Sequence, residues 1–247
     1  MAFIEFSNVS KSFLRHTGRM LLRSHLKALF ERGQRQRFYA LKNVSFKVNG
    51  GESVAVVGAN GAGKSTLLGL AVGLAVPDEG TVRVSGRIAG LLELGSGFHG
   101  DLSGRENVFL NASLLGLTRK RTLEMFERVV EFSGIGDFIE EPLRTYSAGM
   151  IMRLAFSVAV NVHPDFLVVD EVLAVGDQSF QTKCSEKISE LKRMGMSLLC
   201  VSHSMPLVRH LCQRALWLDH GELVGDGKVE EILEMYEGQG LPPKVSS

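Results

Sequence analysis

Gly58-Ala59-Asn60-Gly61-Ala62-Gly63-Lys64-Ser65 is the stretch whose reading decides the fold. It fits the pattern GxxxxGK[ST], in which glycines let successive backbone N–H groups face a phosphate. Its flanks supply the context that the pattern needs. Ser53–Val57 is a short apolar run stopped by Gly58 and reads as a buried strand; Lys64 onward reads as a helix through about Gly73. Strand, glycine loop and helix in that order bring the positive end of a helix dipole to the loop. Gly58, Ala59, Asn60, Gly61, Ala62, Gly63, Lys64, Ser65 and Thr66 are therefore the expected nucleotide-binding segment. Lys64 would bridge the β- and γ-phosphates, and the Ser65 hydroxyl would ligate Mg²⁺.

Outward from the loop, strands alternate with helices. Residues 2–9 read as an opening strand, and residues 44–48 as a second that ends in the Asn49-Gly50-Gly51 turn. Pro77-Asp78-Glu79-Gly80 is a turn before a strand at 81–84. From Gly95 to Gly149 the pattern becomes helical. Ser103 and Glu106 form a capping box ahead of Val108, Phe109 and Leu110. A second helix sets Leu123, Phe126 and Val130 on one face and stops near Ser133-Gly134. Ser147 caps a third, with Met150, Leu154 and Val158 along one face, and His163-Pro164-Asp165 breaks it. Residues 166–169 and 198–201 are buried strands. This alternation predicts an α/β parallel sheet, with the helical block as an inserted subdomain.

The ends of those last two strands carry chemistry. Asp170 and Glu171 follow an apolar strand, where α/β sheets place their ligands. Asp170 would hold Mg²⁺ and Glu171 would polarise the attacking water. His203 follows the next strand and would reach the γ-phosphate or hold the water with Glu171. Ser147-Ala148-Gly149 at a helix start is a second anion site by the same physics as the first.

Composition narrows the setting. The chain has 247 residues, 45% apolar and 22% charged, with a net charge of +1, which argues against disorder and against a global basic field. Residues 1–6 lack the charged start and apolar run of a signal peptide, and the apolar stretch 67–77 is far short of the ~20 residues that span a bilayer. Any membrane role is thus expected through a partner. Cys184, Cys200 and Cys212 are unclustered and fit a reducing cytosol.

Five motifs occur in fixed order: the glycine loop, Tyr146-Ser147-Ala148-Gly149-Met150, Phe166–Asp170 with Glu171, Asp177, and Val201-Ser202-His203. The set resembles the nucleotide-binding subunit of an ABC transporter over nearly the whole chain. The resemblance implies a P-loop NTPase of the ABC ATPase fold: a RecA-like core with an antiparallel β subdomain and an inserted α-helical subdomain. The expected layout is one domain at 1–240, with core and β subdomain at 1–95 and 155–240, helical subdomain at 96–154, a basic insertion at 14–38 and a tail at 241–247. The resemblance also implies that Tyr146, Ser147, Ala148, Gly149 and Met150 contact the ATP bound by the other subunit. It places Asp177 in a loop that crosses the dimer interface. The family's usual form of the signature is Leu-Ser-Gly-Gly-Gln; here the serine and second glycine are kept, and Arg153 follows. Glu93 stands where most relatives carry a glutamine near Mg²⁺. Phe13, at the usual position after the first strand, is the favoured residue to stack on adenine, and Tyr39, just before the second strand, is the alternative.

The departures resemble those of the ATPase subunits of bacterial polysaccharide exporters, which move O-antigen, capsule or teichoic-acid polymers on lipid carriers. They comprise Leu91 to His99, Gly104-Arg105-Glu106-Asn107, the altered signature, and Asp170 through Asp177. The insertion between the first two strands adds to them. From Lys11 to Lys42 there are nine Lys or Arg against one acid, Glu31, with Leu22, Leu26, Leu29 and Phe30 on one helical face. A basic amphipathic helix suits an anionic membrane surface; packing on its own domain is the alternative. The expected assembly is a homodimer closing head-to-tail over two ATP–Mg²⁺, with a transmembrane permease subunit in two copies. It would sit peripherally on the cytoplasmic face of the bacterial inner membrane and engage no nucleic acid. Some members of that family add a carbohydrate-binding β-domain after the ATPase; with residues 241–247 read as a short tail, none is expected here. An ABC subunit exporting a drug, peptide or other lipid is the competing expectation.

Overall fold

A computed structural model describes residues 2–14, 37–92, 97–170, 177–202 and 204–238. Two sheets organise them. A parallel core sheet has the order β5–β6–β7–β3–β8–β9, built from β3 (Ser53–Val57), β5 (Ile88–Gly90), β6 (Phe166–Asp170), β7 (Ser197–Val201), β8 (Arg214–Asp219) and β9 (Glu222–Lys228). All neighbours are parallel except the β8–β9 hairpin. His220 and Gly221 turn that hairpin at φ 46° and 82°, the left-handed pair that a two-residue turn requires. Every residue of β3 and of β7 is buried, as expected for central strands covered on both faces.

The second sheet is antiparallel, in the order β2–β1–β4, from β1 (Phe3–Leu14), β2 (Arg37–Asn49) and β4 (Glu79–Ser85). Both long strands exceed their expected spans of 2–9 and 44–48. Asn8 (φ 50°) and Asn43 (φ 49°) introduce bulges through which pairing continues, reaching Phe13 opposite Phe38 and Ser12 opposite Tyr39. A local turn signal in the sequence is thus absorbed as a bulge.

The helices are α1 (Lys64–Ala71), α2 (Gly104–Leu114), α3 (Arg119–Ser133), α4 (Ala148–Asn161), α5 (Gln178–Arg193), α6 (Met205–Leu211) and α7 (Val229–Glu237). α2 begins in the full capping box: the Ser103 hydroxyl accepts from the Glu106 N–H, and the Glu106 carboxylate accepts from Ser103 N–H at 2.8 Å. α3 starts at Thr118 and ends at Gly134 in the left-handed conformation (φ 64°). Its buried face is Thr122, Met125, Phe126, Val129 and Ser133, so the expected Leu123 is corrected to an exposed position, 55% accessible. The face is decided by packing on α4, and Leu123 lies one residue round from it. α4 is continuous from Ala148 to Asn161, so the expected division at 154 falls within one helix.

One apolar core lies between the sheet and α2–α7; the other joins the β1–β2–β4 sheet to α1 and the opposite face of the core sheet. Among the described residues, no helix is long and apolar enough to cross a membrane. Glu93, Glu171, His203, the basic stretch 15–36 and the tail lie outside the described residues.

Candidate nucleotide site

Three adjacent strands end in one row. Val201 of β7 is in register with Val56 of β3 on one side and Asp170 of β6 on the other. At about 4.8 Å between strands, the Asp170 backbone lies about 10 Å from the start of the glycine loop. Asp170 is half-buried at the open end of its strand.

The loop that follows β3 is held from outside. At Gly58 (φ 149°) a Cβ would land on the Leu218 carbonyl, and at Gly63 (φ 105°) on the Ala40 carbonyl. Both positions therefore need glycine for backbone conformation and for space. The Ala62 carbonyl accepts from Gly221 N–H at 3.1 Å, and the Gly221 carbonyl accepts from Lys42 N–H at 2.8 Å. β2 and the β8–β9 turn thus brace the loop. The Lys64 ammonium is buried and donates to the carbonyls of Gly58 (2.8 Å) and Ala59 (3.0 Å). It is drawn across the loop's mouth. α1 begins at Gly63 without a side-chain cap and with no acid in its first turn. Its leading N–H groups face outward with the positive dipole end, a geometry that receives an anion. Ser65 is exposed and Thr66 half-buried beside it; Asn60 and Gly61 are exposed at the tip.

Both aromatic candidates are exposed, Phe13 and Tyr39 alike. They are not equivalent in place. Tyr39 directly precedes Ala40, whose carbonyl touches Gly63, whereas Phe13 sits opposite Phe38 on β1 with the Lys11 ammonium over its ring.

The second glycine-serine segment is a separate feature. Ser147 is the N-cap of α4, its hydroxyl accepting from Met150 N–H at 3.2 Å. Ser147 and Ala148 are exposed, and Gly149 faces open space, its Cβ position 3.9 Å from the Ser147 hydroxyl. No acid lies in the first turn of α4. Tyr146 points inward, 7% accessible, and its hydroxyl donates to the Phe138 carbonyl. Burial, reinforced by Glu140 and Glu141, pushes its phenol up to about 12. The same hydroxyl occupies the space where Gly104 would carry a Cβ, so Gly104 and Tyr146 fit as a pair. Next to them Asn107, wholly buried, accepts from His99 N–H at 2.7 Å and donates to the carbonyls of His99, Leu102 and Ser103. The Gly104–Asn107 stretch therefore holds both the approach to α2 and the root of the signature.

Asp177 caps α5. Its carboxylate accepts from the Ser179 hydroxyl at 2.7 Å and from Phe180 N–H at 2.9 Å, and it pairs with Arg153 at 2.8 Å. Those hydrogen bonds, with Arg153 adding its charge, hold it below the usual aspartate range. The Arg153 guanidinium also lies 5.0 Å over the Phe180 ring. The signature helix α4 and the start of α5 are thus joined by a side-chain bridge that sequence spacing did not disclose, because the partners are 24 residues apart.

A family model for ABC transporters matches residues 41–174, which hold the glycine loop, the signature and Asp170. The chain belongs to the ABC transporter family. As an ABC ATPase it binds ATP and hydrolyses it. This ABC ATPase is 48% identical over 238 residues to the O-antigen export system ATP-binding protein RfbB of Klebsiella pneumoniae, covering 95% of this chain and 97% of that one. It is 40% identical over 235 residues to the teichoic acids export ATP-binding protein TagH of Bacillus anthracis, covering 95% of this chain but 42% of that longer protein. Its fold matches that of the dimeric ATP-binding cassette MJ0796, bound to ADP and Pi in a post-hydrolysis state. The TM-score there is 0.70 at 23% identity, covering 92% of this chain and 98% of that one.

Proposed function

We propose that this ABC ATPase powers export of a lipid-linked polysaccharide, working as a head-to-tail homodimer beneath two copies of a transmembrane permease subunit. The observation that carries the reading is the 48% identity to an O-antigen export ATPase across 95% of this chain. The chain would act peripherally, on the cytoplasmic face of the inner membrane, with residues 14–38 toward the membrane surface.

The half-sites support the dimer. One chain presents one phosphate loop and one exposed signature start, on separate elements. Head-to-tail closure lays Ser147, Ala148 and Gly149 of each copy against the γ-phosphate held by the other's loop, with Asp177 at the seam. ATP shifts this equilibrium only through its greater affinity for the closed pair. Within each half, Lys64 leaves its own loop carbonyls for the β- and γ-phosphates, and the N–H groups at the start of α1 take the remaining phosphate charge. Tyr39 is the assigned adenine-stacking residue, because its neighbour Ala40 packs on Gly63.

Mg²⁺ fits the donor set, which is an exposed Ser65 hydroxyl on α1 and the Asp170 carboxylate of the β6 strand that α1 packs against. Hard oxygen donors that leave room for water and phosphate are what this ion takes. When bound, it neutralises charge on the transferring phosphoryl group. Glu93 is assigned to the same ion, Glu171 to the attacking water and His203 to the γ-phosphate, on sequence position. Tyr146 and Met150 root the signature, and the helical block from residue 96 into α4 is assigned as the helical subdomain between the two parts of the core.

The test is Glu171→Gln with the permease present. The variant should bind ATP–Mg²⁺ as the wild type does, turn over negligibly and accumulate as a dimer in sedimentation. A variant that hydrolyses ATP at the wild-type rate would refute the role of Glu171 and the closure scheme built on it.

A further inference from the structure

A second concave site lies at the opposite end of the parallel strands from the phosphate loop. The residues that lead into β5 and β6 meet α3 and the end of α4 there, around a cavity of about 340 Å³. That volume is in the range of small-ligand sites, about 300–1,000 Å³. Its lining carries Arg87, Arg121, Arg128 and His163, with Glu124 as the one acid in it.

The charges around it are poorly balanced. Arg121 has only a long contact with Glu124, at 3.5 Å. Arg87 donates to the Val162 carbonyl at 3.0 Å, and the nearby Asp165 carboxylate is engaged by the Arg87 backbone N–H at 2.6 Å. Among the described residues, no ion pair joins Arg87 or Arg128 to a carboxylate. Beyond the rim, Lys187 and Glu190 pair with each other at 3.0 Å and leave the excess unchanged. The first turn of α3 adds Arg119 and Lys120 to Arg121 and contains no acid. Cations are disfavoured at that end of a helix, so three in succession cost stability unless an anion offsets them. His163 holds a left-handed backbone (φ 48°), a conformation that persists where the surroundings impose it. Its imidazole is held below its usual range by burial first, then by Lys187 and Arg128.

We propose that this cavity binds a phosphate-bearing group, a phosphomonoester or diphosphate, through Arg87, Arg121, Arg128 and His163. Guanidinium forks match phosphate oxygens in pairs, and a dianion satisfies the local excess of charge. The site is separate from the nucleotide loop, since it opens at the amino ends of β5 and β6. Two sources share this chemistry: a free phosphate compound and a lipid whose head group is a phosphomonoester.

The experiment uses the full chain saturated with ADP, so that the phosphate loop is filled. Inorganic pyrophosphate is the first probe, followed by the His163 imidazole resonance in NMR. His163→Asn, which tolerates the left-handed backbone, assigns that signal. Bound pyrophosphate should raise the pH midpoint of His163, because a nearby anion favours the charged imidazole. The double variant Arg121→Gln, Arg128→Gln should bind pyrophosphate at least about tenfold more weakly, as expected for losing charged hydrogen bonds. Its ADP affinity should stay unchanged, and without pyrophosphate its melting temperature should not fall, since Arg121 is one of the unfavourable cations at the start of α3. Vesicles containing phosphatidic acid, whose head group is a phosphomonoester, against vesicles of phosphatidylcholine form the second arm. Weaker binding of the double variant to the anionic vesicles alone identifies a lipid head group. Equal vesicle binding with lost pyrophosphate binding identifies a free phosphate compound. A His163 midpoint that pyrophosphate does not move, or equal affinity in wild type and variant, overturns the proposal.

Discussion

Gly104→Ala is the sharpest perturbation of the signature's footing. Gly104 has an ordinary helical backbone at the start of α2, where alanine should be neutral to helpful. The added Cβ, however, meets the Tyr146 hydroxyl and lies 3.0 Å from the Ile139 carbonyl. The hydroxyl cannot step aside without losing its bond to the Phe138 carbonyl. Overpacking of this kind costs about 1–3 kcal/mol, less a few tenths regained from helix propensity. Tyr146→Phe alone removes the clash partner but leaves a carbonyl without its donor, about 1–2 kcal/mol. The double variant still lacks the hydrogen bond to Phe138, but the hydroxyl that the new Cβ would strike is gone, so its cost should fall short of the sum by about 1 kcal/mol. Urea unfolding of the four proteins, followed by circular dichroism, measures this directly. Turnover should follow the same order, since Tyr146 is the buried residue that directly precedes Ser147. Strict additivity would refute the claim that the two residues form one packed unit.

Lys64→Ala should lower ATP affinity at least about tenfold in calorimetry, the loss expected for a charged contact to phosphate, and undiminished affinity would sink its assignment. Tyr39→Ala should weaken ATP by about 1–2 kcal/mol, as for lost base stacking, while Phe13→Ala leaves it unchanged; the reverse result moves the adenine to β1. Asp177→Asn should be less stable than wild type at neutral pH. The folded-state aspartate is depressed, so its contribution is full above the ordinary aspartate pKa of about 4 and is lost as pH falls through the lower folded value. Urea midpoints of the pair should therefore converge in acid, and a gap that widens there contradicts the hydrogen-bond account.

The nucleotide loop was legible because its signals are local. β3 is apolar after Ser53, Gly58 stops it, and α1 follows the glycine loop. The capping box of α2 and the Gly134 stop of α3 were legible for the same reason. The far ends of β1 and β2 were hidden by Asn8 and Asn43, which look like turn residues and act as bulges. Periodicity puts Leu123 on the buried face because it defines a stripe only to within a residue, and α4 selects among the choices. The contacts that brace the loop, Leu218 against Gly58 and Ala40 against Gly63, join residues far apart in the chain. Nothing in local pattern reports them. The Arg153–Asp177 bridge belongs to the same class, although the sequence singles out each residue by itself.

The central claim, that this ATPase drives polysaccharide export, is tested most directly in its native host. Glu171→Gln would replace the wild-type protein, and lipid-linked polysaccharide inside the cell would be quantified against polymer at the surface. The account predicts internal accumulation with loss of surface glycan. Unchanged glycan in both pools, with the variant verified as inactive and no duplicate gene present, would contradict it.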